Sequence, residues 1–414
     1  MANRITLNSV SQSAFRVNAN EVQDNNKSRA AFVAKGRMLA YEHAGRGKDA
    51  MSLALNGSKS GYQSIMTNSQ YNQLNEQFQQ EHLLYAAKKC CEFSGARAPE
   101  NFDEFKRQGQ RFFGNSSFYA VLQGIYEEVV QPILPATYSE AVGAFAETVE
   151  VGFGETYVKN IQSNDIPVFQ DSSWGATLSV PSNRLYSDTI TLNPQPKSAQ
   201  IVAKWTQLVG NGMDFGAFFA NIAAGMYSKT MAMWTESIIK ASTNAQLIPT
   251  NMQYTFNNTN WMTAANKLAT LNNTTIGDIF ATGSMVPLSR VLPTQATGSS
   301  NVNMDAALAM LLGSEYNRSG LLGEFLGVRL MPLRDAIVPG TQNTAPATLL
   351  PSDRVWMMAG RGYKPMTVCY NRDTPISIEI DPTRTANFEI GINLTIALDI
   401  VAIFASRVAT FSPI

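Results

Sequence analysis

The sequence predicts an α+β chain in which a long two-stranded arm feeds a long helix and an alternating strand closes the C-terminal part. The arm is read over Ile166 to Val209, and the helix over Asp214 to Ser242. In the closing strand, Phe388, Ile390, Ile392, Leu394, Ile396, Leu398 and Ile400 take every second position, the period of a half-buried strand.

Residues 1–65 are polar and punctuated by glycine, and read as an arm with loops. Three amphipathic helices follow. Thr67 to Phe93 carries Tyr71, Leu74, Phe78 and Tyr85 at helical spacing, Asn101 to Phe113 starts after Pro99, and Ser117 to Val130 is stopped by Pro132. Tyr138 to Phe145 reads as a short helix and Glu150 to Ile161 as strand-like. Within the arm, Pro181 to Asn183 form a turn. Pro194 and Pro196 remove two amide donors from the returning strand, which makes it an edge strand or a free arm. Gly210 and Gly212 break the chain before the long helix, and Asp214 is placed to cap it. Its apolar stripe runs from Phe215 through Phe219, Ile222, Met226 and Met233 to Ile238, and the helix extends about 43 Å at 1.5 Å per residue. The stripe is expected to face the sheet that contains the closing strand.

Beyond the helix, Met262 to Leu271 and Met304 to Leu312 read as helices. Ile276 to Met285 reads as a strand leading to a turn, and Gly327 to Met331 as a short strand. Arg354 to Ala359 and Met366 to Tyr370 are expected to form a hairpin around Gly360 to Pro365, and Ile376, Ile378 and Ile380 a shorter partner for the closing strand.

Charged residues make up 15% of the chain, against roughly 25% in ordinary soluble domains. Neutral polar side chains fill the difference, as suits an outside covered by copies of itself. An extended arm has little core of its own and needs a neighbour to lie on. Both features point to a self-assembling structural protein. The 32 basic and 32 acidic residues cancel, which argues against a strongly basic nucleic-acid binder. Residues 1–50 nevertheless carry eight Lys or Arg against four acids, a mild basic bias. Cys90, Cys91 and Cys369 give no disulfide framework.

No catalytic constellation is legible. His43 and His82 have no cysteine or acid at ligand spacing. Gly57 to Gly61 has Lys59 where a nucleophile elbow needs its nucleophile, and Gly45 to Lys48 lacks the P-loop glycine pattern. Gly360 to Pro365 leads into a strand rather than the helix that a phosphate loop requires. No catalytic, cofactor-binding or metal-binding residue is assigned. Perturbed charges are expected instead at subunit contacts, with Asp399 and Arg407 as examples.

The order of elements resembles the major capsid proteins of tailed double-stranded DNA bacteriophages, with the Hong Kong 97 type of fold. The segments that carry the resemblance are Ile279 to Pro287, Glu324 to Pro332, Asp353 to Met358 and the closing strand. It implies an N-terminal arm with extra helices over 1–137 and a peripheral domain from 138–164, 205–250 (with the spine helix) and 366–414. It further implies an extended loop over 165–204 and an axial domain over 251–365. The implied function is an icosahedral shell subunit in the virion, assembled in the host cytoplasm. Its implied partners are copies of itself in hexamers and pentamers, portal, scaffolding and decoration proteins, and packaged DNA held without sequence preference, with no membrane. Trp174, Arg184, Tyr186, Pro194 and Pro196 are the candidate inter-subunit contacts, and Arg4, Arg16 and Lys27 the candidate DNA-facing residues. A shell that stores a cargo enzyme, and an enzyme with an unrecognised site, are the alternatives.

Overall fold

The computed structural model describes residues 29–45, 66–132, 146–162, 187–210, 212–243, 252–292, 320–333, 335–341, 344–360, 364–372, 376–381, 388–402 and 407–412. The helix read over Tyr138 to Phe145, the one read over Met304 to Leu312 and the turn at Pro181 to Asn183 lie outside the described residues.

The N-terminal part is helical. α1 spans Arg29–Gly45, α2 Asn68–Ser94, α3 Phe102–Arg107, α4 Gly109–Phe112 and α5 Ser116–Val130. α2 begins on a capping box in which Thr67 and Gln70 bond reciprocally, and ends at Gly95 in the left-handed region. Asn101 and Asn115 cap α3 and α5. α1 corrects the reading of residues 1–65 as irregular, since Phe32, Val33, Leu39 and Ala40 are buried. Its Gly36 lets neighbours close in, because a Cβ there would stand 2.8 Å from Val129 and 3.4 Å from Phe219.

The long helix, α7, spans Phe215–Thr243 and follows the short α6, Trp205–Val209. Asp214 caps it, accepting from the Ala217 amide at 3.1 Å and from the Tyr71 hydroxyl at 2.5 Å. Asn75 of α2 clamps the same turn, accepting from the Phe215 amide at 3.0 Å and donating to the Met213 carbonyl at 2.9 Å. The stripe divides along its length. Phe215 and Phe219 do not face the sheet as expected. They pack edge-on against Phe78, and Tyr126 lies 6.2 Å from Phe215 and 5.7 Å from Phe219. The C-terminal half meets the sheet, where the Ser237 hydroxyl donates to the Ile400 carbonyl at 3.0 Å.

Two glycines of α7 test this packing in opposite directions. A Cβ on Gly216 would stand 2.2 Å from the Tyr71 hydroxyl oxygen and 2.7 Å from the Leu39 carbonyl, whereas nothing lies within 4 Å of one on the exposed Gly225. Gly216→Ala is therefore expected to destabilise the unassembled subunit by about 1–3 kcal/mol through overpacking. Gly225→Ala should stabilise it by about 1 kcal/mol through helix propensity. Denaturant midpoints moving the same way for both would contradict the packing described.

The first sheet is built on β12, Glu389–Ala402. β10 (Met366–Asn371) and β11 (Ser377–Asp381) pair in line along one edge of β12, and β4 (Gln195–Lys204) pairs along the other. β1 (Ala146–Val151) runs parallel outside β10. Ile390 to Ile400 bury alternate side chains, as the period requires. Phe388 precedes the strand and is an exception: it takes a left-handed conformation and stays 44% exposed.

The second sheet has six strands in the order β5 (Gln253–Tyr254), β13 (Val408–Phe411), β9 (Val355–Ala359), β6 (Ile279–Gly283), β8 (Val328–Pro332) and β7 (Glu324–Phe325). α8, Asn258–Leu271, buries Trp261 against Phe411, Phe325 and Phe256. α9, Met285–Ser289, takes up the end of the segment read as strand. One expectation fails. β9 and β10 form no hairpin, because they lie in different sheets. Both are buried along their whole length, so each needs neighbours on both sides. The last strand, β13, joins the second sheet, antiparallel to β9.

Candidate assembly surface

The arm begins as a two-stranded ribbon, β2 (Tyr157–Gln162) with β3 (Ser187–Leu192), paired antiparallel. A small core of Val151, Leu192 and Cys369, flanked by Tyr157, Ile190 and Val401, fixes its foot to the first sheet. Lys159 adds an ion pair to Glu147 and a 3.5 Å bond to the Thr367 hydroxyl. The Asn193 amide donates to Asp399 at 3.2 Å. Burial, and then the charge of Asp399, push the Cys369 thiol up to about 11, so it stays protonated near neutral pH.

β4 then returns along β12. Pro196 lies opposite Ala397 and is exposed, and Pro194 precedes the strand half-buried. The edge reading of these prolines holds. Residues 195–204 pair with their own chain, so this end of the arm read over Ile166 to Val209 lies on its own subunit rather than on a neighbour. Trp174, Arg184 and Tyr186 lie outside the described residues, as do Arg4, Arg16 and Lys27. Of the basic residues in the first fifty, Arg29 pairs with Glu128 at 2.8 Å, Lys35 with Glu81, and Arg37 donates to the Glu128 carbonyl at 2.7 Å. These three tie α1 to its own subunit.

The histidines have structural settings. His82 is buried between Phe78 and Phe215, its Nδ1 against the Phe78 carbonyl and its Nε2 3.1 Å from the Tyr126 hydroxyl. Burial lowers its pKa to about 4. His43 lies 3.3 Å from the Tyr71 hydroxyl and 3.7 Å from Asp214, a proximity that sequence spacing could not show. Arg407 donates to Asn272 at 2.8 Å. With Asp399 bonded to Asn193, both charges expected at subunit contacts have partners in their own chain. Among the described residues no group of His, Cys, Asp or Glu could hold a metal, and no helix is long and apolar enough to cross a membrane.

Residues 101–387 match the model of a family described as "SPbeta prophage-derived putative capsid protein YonB". The match covers more than half of the chain. The chain belongs to this capsid-protein family. The matched span takes in the ribbon, α7 and most of both sheets, and leaves α1, α2, β12 and β13 outside. No individually curated protein matches. Among solved structures, the bacteriophage PhiM1 mature capsid overlaps at 11% identity and a TM-score of 0.40, over 65% of this chain and 85% of that one. Mycobacterium phage Bobi overlaps at 12% and 0.41, over 66% and 90%. A virus-like particle from Pyrococcus furiosus overlaps at 8% and 0.36, over 67% and 96%. Overlaps this loose carry no argument, and membership rests on the family match.

On this capsid-family subunit, neutral side chains pair across β4 and β12 on the exposed face of the first sheet. Ser198 bonds Thr395, and Gln200 bonds Asn393, each at 2.9 Å across β4 and β12. The outer edge of β4 has no strand partner among the described residues. Side chains paired in this way add little electrostatic cost when another surface covers them.

Proposed function

We propose that this chain is the major capsid protein of a tailed bacteriophage or prophage, the repeating subunit of an icosahedral shell of the Hong Kong 97 type around packaged DNA. The observation that carries the reading is membership of the capsid-protein family over residues 101–387. The architecture supports it, with a ribbon rooted on a sheet, an open edge strand and a long helix that ties the layers together. In this reading Trp174, Arg184 and Tyr186 meet a neighbouring subunit, and Pro194 and Pro196 keep the edge of β4 from extending its own sheet. Arg4, Arg16 and Lys27 contact phosphates without reading bases, so that binding weakens with salt. Hexamers and pentamers of the chain, portal, scaffolding and decoration proteins are the partners of such a shell. It has no turnover, metal or cofactor of its own. The cargo-storing shell and the enzyme have no observation in their favour.

Negative-stain imaging of the purified full chain tests the reading. Closed shells of uniform size are expected. A monomer or small oligomer that persists at high concentration, or a turnover abolished by one substitution, would overturn it.

A further inference from the structure

We draw no further inference here: the strongest candidate, the groove that Tyr85, Lys89 and Phe93 of α2 form with Ser117, Ala120 and Val121 of α5 beside Arg29 at the start of α1, is mainly apolar, its two cations already pair with Glu92 and Glu128, and nothing in the structure shows what covers it.

Discussion

Trp234→Ala is expected to destabilise the subunit by about 3–5 kcal/mol, in the range for removing a large aromatic side chain from a core. Trp234 is completely buried on α7, and its ring meets Trp356 of β9 edge-on at 5.4 Å and 85°. One turn further along, Ser237 bonds the Ile400 carbonyl of β12. α7 thus touches both sheets within a few residues, and Trp234 is its anchor on the second. The cavity should loosen both. Hydrogen exchange is expected to rise in β9 and in β12 together. Trp234→Phe, which keeps most of the edge-to-face contact, should recover more than half of the loss. Exchange that rises in β9 alone would show that the two sheets are stabilised independently, and an unchanged denaturant midpoint would remove Trp234 from the core.

What was legible in the sequence was what is local in the chain. The burial of Ile390 to Ile400 follows from an alternation that needs no knowledge of the partner strand. The start of α7 was legible because Asp214 lies beside the first apolar turn, and the start of α2 because a Thr stands three residues before a Gln. α1 was missed because Phe32, Val33, Leu39 and Ala40 form a broken stripe, and its burial depends on a close approach at Gly36. The false hairpin of β9 and β10 has a related cause. Two fully apolar strands in succession say that both are central, and they do not say to which sheet each belongs.

The candidate surface was legible in outline. Pro194 and Pro196 marked an edge, because a missing amide donor is a local fact. Trp174, Arg184 and Tyr186 lie outside the described residues and remain proposals. The turn around Phe153 was passed over because Glu150 to Ile161 was read as one strand-like run. The signal was present in its two flanking glycines, which break a strand and suit a tight turn. The contacts of His43 with Tyr71 and Asp214 join α1, α2 and the start of α7, and no spacing rule connects residues so far apart in the chain.

Acid should weaken the unassembled subunit in a window set by His82. This ring is fully buried, and burial lowers its pKa from 6.5 to about 4, against a smaller opposing effect from the Phe78 carbonyl. The folded state therefore binds fewer protons than the unfolded state between these two values. Stability is fully present above pH 6.5 and falls as pH drops towards 4, by about 1.4 kcal/mol per pH unit and about 3 kcal/mol in all for this one group. Carboxylates begin to titrate at the lower end of the window, so the wild-type curve alone does not isolate the histidine. His82→Gln does, because an amide can accept from the Tyr126 hydroxyl and donate to the Phe78 carbonyl without titrating. The variant is expected to lose less stability than the wild type between pH 6.5 and 4.5, with a slope shallower by about one proton. Parallel curves for the two proteins, measured by urea unfolding across that range, would show that the ring reaches water or finds an acidic partner before it is protonated.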